Sequence, residues 1–156
     1  MSLNLNLPDE AATLRFGAAL AAGVAPGRVL YLRGELGTGK TTLVRGLLGA
    51  LGHTGRVKSP TYTLVEVYTL SRLNFYHFDF YRFKDRSEWL SSGFRDYFNP
   101  QSVCVVEWPE RAGNLPAPDL DISLEFLGEA RCASLHEHSD AGRSWLSSAR
   151  SQLSSS

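Results

Sequence analysis

The chain of 156 residues has few of the features that mark membrane, secreted or disulfide-rich proteins. It has only two cysteines, Cys104 and Cys132, and they form no Cys-x-x-Cys pair or Cys/His cluster, so we expect free, buried thiols in predicted strands. No apolar run approaches the length of a membrane span, and the first residues lack the pattern of a signal peptide. We therefore expect a cytoplasmic protein that does not contact membranes.

An excess of charge is also missing, since 16 basic side chains balance 16 acidic ones. Proteins that bind nucleic acid directly usually carry a basic excess, so any RNA is expected to be held by another protein. The length and the hydrophobic share of 43% suit one domain with a single substantial core. We predict this domain at residues 1–140, followed by a helix and a serine-rich tail at residues 141–156.

One motif dominates what is present. Residues 34–41 fit the pattern G-x-x-x-x-G-K-[ST], with an apolar strand pattern at residues 29–32 before it and a helical pattern at residues 42–51 after it. The glycines let the backbone curl so that its N–H groups point inward, and the helix places its positive end under an anion. The segment therefore predicts a site for a nucleoside triphosphate. The predicted contact residues are Gly34, Glu35, Leu36, Gly37, Thr38, Gly39, Lys40, Thr41 and Thr42.

Three side chains of this motif have distinct predicted tasks. Lys40 would reach the β- and γ-phosphates, Thr41 would offer its hydroxyl group to Mg²⁺, and Thr42 could reach the α-phosphate. The neighbouring Gly37-Thr38-Gly39 is not a dinucleotide fingerprint, because the third glycine of that pattern would fall on Thr42.

Two acidic residues compete for the carboxylate that a P-loop enzyme needs, either to hold Mg²⁺ through water or to polarise the attacking water. Asp79 ends the apolar strand pattern at residues 75–78, and Glu107 ends the one at residues 103–106. The second run is more continuous and is the better candidate for a central parallel strand. Both carboxylates fit, and the sequence leaves the division of their roles open.

Three further residues near these motifs invite more than one interpretation. Thr61 lies in a polar segment, residues 55–63, that is either a switch loop sensing a γ-phosphate or an ordinary approach to a strand. His77 alternates with aromatic residues, which favours a packed, hydrogen-bonded histidine over a metal ligand. Trp108 would stack on a base or a partner, or simply cover the end of the sheet.

The remaining pattern predicts a three-layer α/β P-loop fold with a mixed sheet, flanking helices and a C-terminal antiparallel hairpin. A first strand is expected at Leu3, Leu5 and Leu7, and a hairpin connection at residues 69–74. Asp9 is expected to cap a first helix, and Ser87 a later one carrying Trp89, Leu90 and Phe94. The predicted apolar stripe of the first helix is Leu14, Ala18, Ala21 and Ala22.

Taken together, these landmarks resemble the TsaE family, bacterial P-loop ATPases of tRNA threonylcarbamoyladenosine (t6A) synthesis. The similarity extends from about Pro8 to the final hairpin. The phosphate-binding motif is shared by many proteins, whereas the Ser-Pro-Thr, His-x-Asp-x-Tyr-Arg and Glu-Trp-Pro blocks in this order are far more specific. The segments that carry the resemblance are residues 34–42, 57–66, 77–82, 93–98 and 106–109.

The resemblance implies that ATP or ADP binds with Mg²⁺, that the protein alone hydrolyses ATP only slowly, and that it docks on the TsaD–TsaB pair. This machinery transfers a threonylcarbamoyl group to adenosine 37 of tRNA, which would be contacted only through the partners. By similarity, Lys40, Thr61, Asp79 and Glu107 are the catalytic candidates. The magnesium candidates are Thr41, Asp79 and Glu107. Glu10 and Arg131 match positions that approach the nucleotide in relatives.

Two alternatives remain beside this hypothesis. A small-molecule kinase usually has an arginine-rich lid, whereas Arg82, Arg86 and Arg95 are scattered around one predicted helix. A nucleotide-sensing interaction module without significant turnover is the other alternative. A GTPase is disfavoured because the guanine-specifying Asn/Thr-Lys-x-Asp segment is missing.

Overall fold

The computed structural model describes residues 2–70 and 73–155. Its strands are β1 (Ser2–Leu7), β2 (Val29–Arg33), β3 (Val65–Leu70), β4 (Leu73–Asp79), β5 (Ser102–Glu107), β6 (Leu120–Leu127) and β7 (Ala130–Glu137). Its helices are α1 (Glu10–Leu20), α2 (Lys40–Ala50), α3 (Glu88–Ser91) and α4 (Asp140–Ser155), with single 3₁₀ turns at Ala21–Gly23, Phe94–Tyr97 and Pro109–Arg111.

All seven strands form one mixed sheet in the order β1-β7-β6-β2-β5-β4-β3. Strand β2 is parallel to β5 and β6, and β4 is parallel to β5, whereas β3 and β7 pair antiparallel with their neighbours. The predicted mixed sheet with a C-terminal hairpin, β6–β7, is therefore confirmed. Residues 71 and 72 of the predicted connection at residues 69–74 lie outside the described residues.

The centre of the sheet consists of β2 and β5. Every residue of β5 is buried, including its polar ends Ser102 and Glu107, as expected for a parallel strand covered on both faces. The continuous apolar run of the sequence thus predicted the central position of β5 correctly. The carboxyl ends of β2, β5 and β4 consequently meet at one edge of the sheet.

Helices α1, α2 and α4 pack around the larger of two hydrophobic clusters, which includes Phe16, Leu47 and Trp145. The smaller cluster covers the other face with α3, the segments around the 3₁₀ turns Phe94–Tyr97 and Pro109–Arg111, and their aromatic side chains. The third layer of the predicted fold is therefore built mostly from short turns. Among the described residues, no helix is long and apolar enough to cross a membrane.

Helices α1 and α2 cross at two glycines. A Cβ atom on Gly17 would lie 2.1 Å from the Leu43 carbonyl oxygen, and one on Gly46 would lie 2.3 Å from that of Leu14. The predicted stripe of α1 was accordingly wrong, since Leu14 is only partly buried and Ala18 is exposed. The buried residues of α1 are Ala12, Thr13, Phe16, Gly17, Ala19 and Leu20. The cap was correct, because Asp9 Oδ1 accepts a hydrogen bond from the Ala12 amide at 2.8 Å.

The helix predicted after Ser87 is one turn long, and Ser87 makes no side-chain capping bond. Leu90 is 54% exposed and Phe94 belongs to the following 3₁₀ turn, so the prediction of one helix carrying Trp89, Leu90 and Phe94 was wrong. The aromatic side chains decide the local structure instead, because Trp89 packs edge-on against Phe98, with ring centroids 5.4 Å apart.

The C-terminal helix α4 packs against α1, and its Trp145 indole donates a hydrogen bond to the Leu20 carbonyl oxygen at 2.9 Å. The proposed boundary after residue 140 stays a prediction. Both cysteines are free thiols. Cys104 is buried as predicted, whereas Cys132 is partly exposed, and burial raises the pKa of Cys104 to about 12.

Candidate active site

The phosphate-loop segment, residues 34–41, connects the central strand β2 to α2. Gly34 and Gly39 have φ angles of 149° and 105°, in a backbone region that residues other than glycine rarely adopt. A Cβ atom on Gly34 would lie 2.6 Å from the Leu124 carbonyl oxygen. The two glycines of the motif are thus required by backbone conformation and, at Gly34, by a close approach of β6. The resulting turn aims the first amides of α2 at the open edge of the sheet.

Lys40 is the first residue of α2 and is almost fully buried. Its ammonium group donates hydrogen bonds to the carbonyl oxygens of Gly34 and Glu35, the latter at 3.1 Å, and lies 4.5 Å from the centre of the Trp108 ring. Burial lowers the pKa of Lys40, while the carboxylates of Glu107 and Asp79 act in the opposite direction. The start of the loop thus holds the lysine ammonium group near the acidic pair.

Asp79 and Glu107 lie opposite each other at the ends of the parallel strands β4 and β5. Both are 3% exposed, so two carboxyl groups share one poorly solvated place. Burial, followed by the charge of Glu107, raises the pKa of Asp79; hydrogen bonds from Tyr81 and Thr61 partly offset this. The fold thus brings both predicted acids to one point, and the division of their roles stays open.

Each carboxylate is held by a threonine from a different segment. Thr41 Oγ1 donates to Glu107 Oε2 at 3.2 Å, and Thr61 Oγ1 donates to Asp79 Oδ2 at 3.1 Å. The other oxygen of Asp79 accepts a hydrogen bond from the Tyr81 amide at 2.9 Å. The phosphate loop and the polar segment before β3 therefore meet over the acidic pair.

The Thr61 segment has a well-defined backbone path. Leu64 adopts a positive φ of 70°, which is costly for a branched side chain, and its amide donates to the Pro60 carbonyl oxygen at 2.7 Å. The Leu64 carbonyl oxygen accepts a hydrogen bond from the Asp79 amide at 3.0 Å. The side chains of Ser59 and Thr61 are hydrogen-bonded at 2.8 Å. Strand β4 and this segment are therefore linked at the residue that carries the carboxylate.

Two clefts open on either side of the first turn of α2, and Gly37, Gly39 and Thr42 line both. The cleft of about 270 Å³ contains the acidic pair. We call it the acidic cleft. Its other lining residues are Leu36, Lys40, Thr41, Ser59, Thr61 and Trp108.

The second cleft, of about 150 Å³, contains Glu10 from the start of α1 and Arg131 from the start of β7. We call it the α1 cleft. Arg131 donates to the Gly37 carbonyl oxygen at 3.2 Å and its guanidinium group lies 4.6 Å from the Phe126 ring centre. Glu10 and Arg131, which match the family outside any dense motif, thus line a cleft beside the phosphate loop, apart from the acidic pair. Glu35 and Gly34 line neither cleft.

Sequence reasoning missed one important contact. His77 is buried and hydrogen-bonded as predicted, but its partner is Glu107, with Nε2 and Oε2 2.6 Å apart. The two-residue period of a strand, which puts His77 and Asp79 on one face of β4, was the available signal. The Trp108 ring lies beside Lys40 at the edge of the acidic cleft, and both of its predicted roles, stacking on a base or a partner and covering the end of the sheet, stay predictions.

The donor set of the acidic cleft suits magnesium. It offers hydroxyl and carboxylate oxygens from Thr41, Asp79 and Glu107, the hard ligands that Mg²⁺ prefers. Within residues 2–70 and 73–155, no group of three or more histidine, cysteine or acidic side chains is arranged to hold a metal ion. Such a donor set matches an ion that arrives with substrate phosphates and keeps several waters.

Comparisons with known proteins agree with this geometry. Residues 7–133 match the model of the family described as "Threonylcarbamoyl adenosine biosynthesis protein TsaE". A Haemophilus influenzae protein named tRNA threonylcarbamoyladenosine biosynthesis protein TsaE is 43% identical over 152 residues, covering 94% of this chain and 96% of the relative. Its Bacillus subtilis namesake is 44% identical over 123 residues, covering 78% and 75%.

A solved structure is similar as well. The crystal structure of Bacillus subtilis YdiB has a TM-score of 0.79 and 28% identity, and the match covers 98% of this chain and 97% of that one. The similarity therefore extends over nearly the whole chain rather than the motif alone. The chain belongs to the TsaE family of threonylcarbamoyl adenosine biosynthesis proteins.

Proposed function

We propose that this protein is the ATPase component of the machinery that makes N6-threonylcarbamoyladenosine at position 37 of tRNA. The observation that carries the proposal is the acidic cleft, where a phosphate loop with a buried lysine faces two buried carboxylates. This arrangement supplies both a cradle for a triphosphate and groups that direct water. Family membership supports the tRNA-modification role.

The phosphate loop binds the nucleotide in this proposal. Amides at the start of α2 and the Lys40 ammonium group bind the phosphate oxygens and stabilise the charge that develops on them during hydrolysis. The α1 cleft, with Glu10 and Arg131, lies on the other side of the same loop and takes the nucleoside part of ATP or ADP.

The hydrogen bonds suggest how the two acids divide their work. Glu107 is paired with Thr41, the hydroxyl that the motif assigns to magnesium, so it acts on the metal side. Asp79 is paired with Thr61 and acts on the water side, orienting the molecule that attacks the γ-phosphorus. The bond from phosphorus to the β–γ bridging oxygen breaks, and ADP and phosphate leave. Thr41, Glu107 and Asp79 would hold Mg²⁺, which would neutralise phosphate charge.

We further propose that the protein docks on TsaD and TsaB and works in the cytoplasm. The balance of 16 basic and 16 acidic side chains supports tRNA contact through those partners rather than through this chain. Partner dependence is also consistent with a site whose lysine is engaged by its own loop carbonyl groups.

The test is phosphate release from Mg-ATP by the purified protein, alone and with the matching TsaD–TsaB pair. We expect weak turnover alone, a clear rise with the pair, and a loss of roughly a hundredfold or more in Lys40→Ala and Glu107→Ala. Lys84→Ala is the matched control, because Lys84 is an exposed lysine outside both clefts.

Each contrary result identifies a different failure. An unchanged rate with the pair would overturn the partner assignment. Phosphate transferred to an added metabolite would favour a small-molecule kinase. Tight nucleotide binding without turnover under every condition would favour a nucleotide-sensing module.

A further inference from the structure

His77 is a buried polar residue with no role in the function proposed so far. It lies on β4, where it pairs with Val105 on β5 and with Glu66 on β3, so both neighbouring strands enclose it. Its side chain is completely inaccessible to solvent. Burying an imidazole ring away from water is costly unless its polar atoms are used, so the contacts of the two nitrogens are informative.

Only one nitrogen of His77 has a partner among the described residues. Nε2 lies 2.6 Å from Glu107 Oε2, whereas Nδ1 is buried and has no hydrogen-bond partner. An ionised carboxylate can only accept, so the hydrogen bond requires the proton on Nε2. Among the described residues, Glu107 is thus the single hydrogen-bond partner of the ring.

The two oxygens of Glu107 are used unequally. Oε2 accepts from both Thr41 Oγ1 and His77 Nε2, while no described residue donates a hydrogen bond to Oε1. A hydroxyl group that donates its single proton keeps both lone pairs for other contacts. The Thr41 hydroxyl and Glu107 Oε1 therefore remain as two free oxygen acceptors beside Lys40 in the acidic cleft.

We propose that His77 is a positioning residue: its Nε2–H group fixes the Glu107 carboxylate so that Oε1 and the Thr41 hydroxyl group together face the magnesium ion of Mg-ATP. This inference rests on the proposed function, because it assigns His77 a task only if Glu107 and Thr41 serve the metal. Partners of this kind, behind the groups that face an ion, typically change metal affinity by 10–100-fold when removed.

Two substitutions separate positioning from packing. His77→Leu removes the donor and fills its place with an apolar side chain. His77→Gln supplies an amide N–H donor near the position of Nε2. The measurement is Mg²⁺ titration of the complex with fluorescent ADP, with binding of the same nucleotide in EDTA as the reference. We expect the Mg²⁺ affinity to fall about tenfold in His77→Leu and to recover substantially in His77→Gln. The affinity for the nucleotide in EDTA should stay within about twofold of wild type in both variants.

A second measurement covers the case in which His77→Leu does not fold. Long-range ¹H–¹⁵N correlation spectra of the wild type near pH 8 should show a proton on Nε2 of His77. A ring without that proton overturns the proposal. Glu107→Gln provides the coupling test, because His77→Leu should weaken Mg²⁺ binding little further in that background.

The outcomes separate this inference from the proposed function. If the wild type binds no Mg-nucleotide, the proposed function fails. If the wild type binds and His77→Leu has the same Mg²⁺ affinity, only the positioning role fails. An equal loss of nucleotide affinity in EDTA would also overturn it, since that result indicates general damage to the phosphate loop.

Discussion

Thr61 and Asp79, 18 positions apart in sequence, are joined by a 3.1 Å hydrogen bond from the threonine hydroxyl to the carboxylate. The bond connects the segment before β3 with the end of β4. A movement of that segment would therefore leave Asp79 Oδ2 without the Thr61 hydroxyl as a donor.

Replacing Thr61 with valine removes this hydroxyl while keeping the branched shape. The Thr61 hydrogen bond lowers the pKa of Asp79, so its loss should raise that pKa further. We expect Thr61→Val to reduce phosphate release about tenfold or more with nucleotide affinity almost unchanged, and Thr61→Ser to retain most of the rate. Steady-state kinetics with both variants would measure the effect. Equal rates for valine and wild type would remove Thr61 from the mechanism.

Asp79→Asn should separate stability from activity. Burial and the nearby charge of Glu107 raise the pKa of Asp79, so its ionised form is disfavoured in the folded protein. The amide oxygen can still accept from the Tyr81 amide, while the new NH2 group would donate to the Thr61 hydroxyl oxygen instead of accepting from it. We expect a higher Tm together with a roughly hundredfold lower rate. Thermal unfolding and phosphate release are the two measurements. A lower Tm would mean that the carboxylate charge stabilises the fold.

The glycine crossing of α1 and α2 makes a clear stability prediction. Gly46→Ala would put a Cβ atom 2.3 Å from the Leu14 carbonyl oxygen, forcing the helices apart at a cost of about 1–3 kcal/mol in unfolding free energy. Gly49 lies on the same helix, and a Cβ atom there would have no neighbouring atom within 4 Å. Gly49→Ala should therefore stabilise the protein by up to about 1 kcal/mol. Urea unfolding of both variants compares the two effects directly. Similar values for the two would contradict the close packing.

Alkaline solution should weaken the fold through Tyr31. Burial raises the pKa of Tyr31 to about 12 in the folded state, from an ordinary value of 10.0, and its hydroxyl donates to the Pro116 carbonyl oxygen at 2.6 Å. The stabilising effect of the neutral phenol is therefore complete below pH 10 and declines as pH rises toward 12.

Tyr31→Phe provides the control for this pH effect. The variant lacks the hydrogen bond at every pH but has no phenol to ionise, so the difference in unfolding free energy from wild type should narrow between pH 8 and pH 11. Urea unfolding at several pH values would show this. A constant difference would mean that Tyr31 does not contribute to the alkaline loss.

The sequence predicted the elements whose pattern depends on local chemistry. The phosphate loop follows from the glycines and Lys40, and the central place of β5 follows from an unbroken apolar run ending at Glu107. Both are short-range signals that need no knowledge of neighbours. The sequence named Asp79 and Glu107 as acids at strand ends, but only the structure shows that their strands are adjacent and parallel.

Other features depend on distant contacts and could not be predicted. The buried face of α1 is set by Gly17 and Gly46, which bring two backbones together where larger apolar residues would have been expected. The one-turn α3 depends on aromatic packing of Trp89 with a later segment. The hydrogen bond between His77 and Glu107 joins two strands, and only the tertiary fold puts the ring beside that carboxylate.

The location of Trp108 makes it an intrinsic fluorescent reporter of the phosphate loop. Of the three tryptophans, Trp89 and Trp145 are completely buried in the two hydrophobic clusters, whereas the Trp108 indole lies 4.5 Å from the Lys40 ammonium group. A nearby cation perturbs indole emission, so a change of intrinsic fluorescence upon nucleotide addition would come from this one ring. Occupancy of the phosphate loop can therefore be followed in real time without attaching any label.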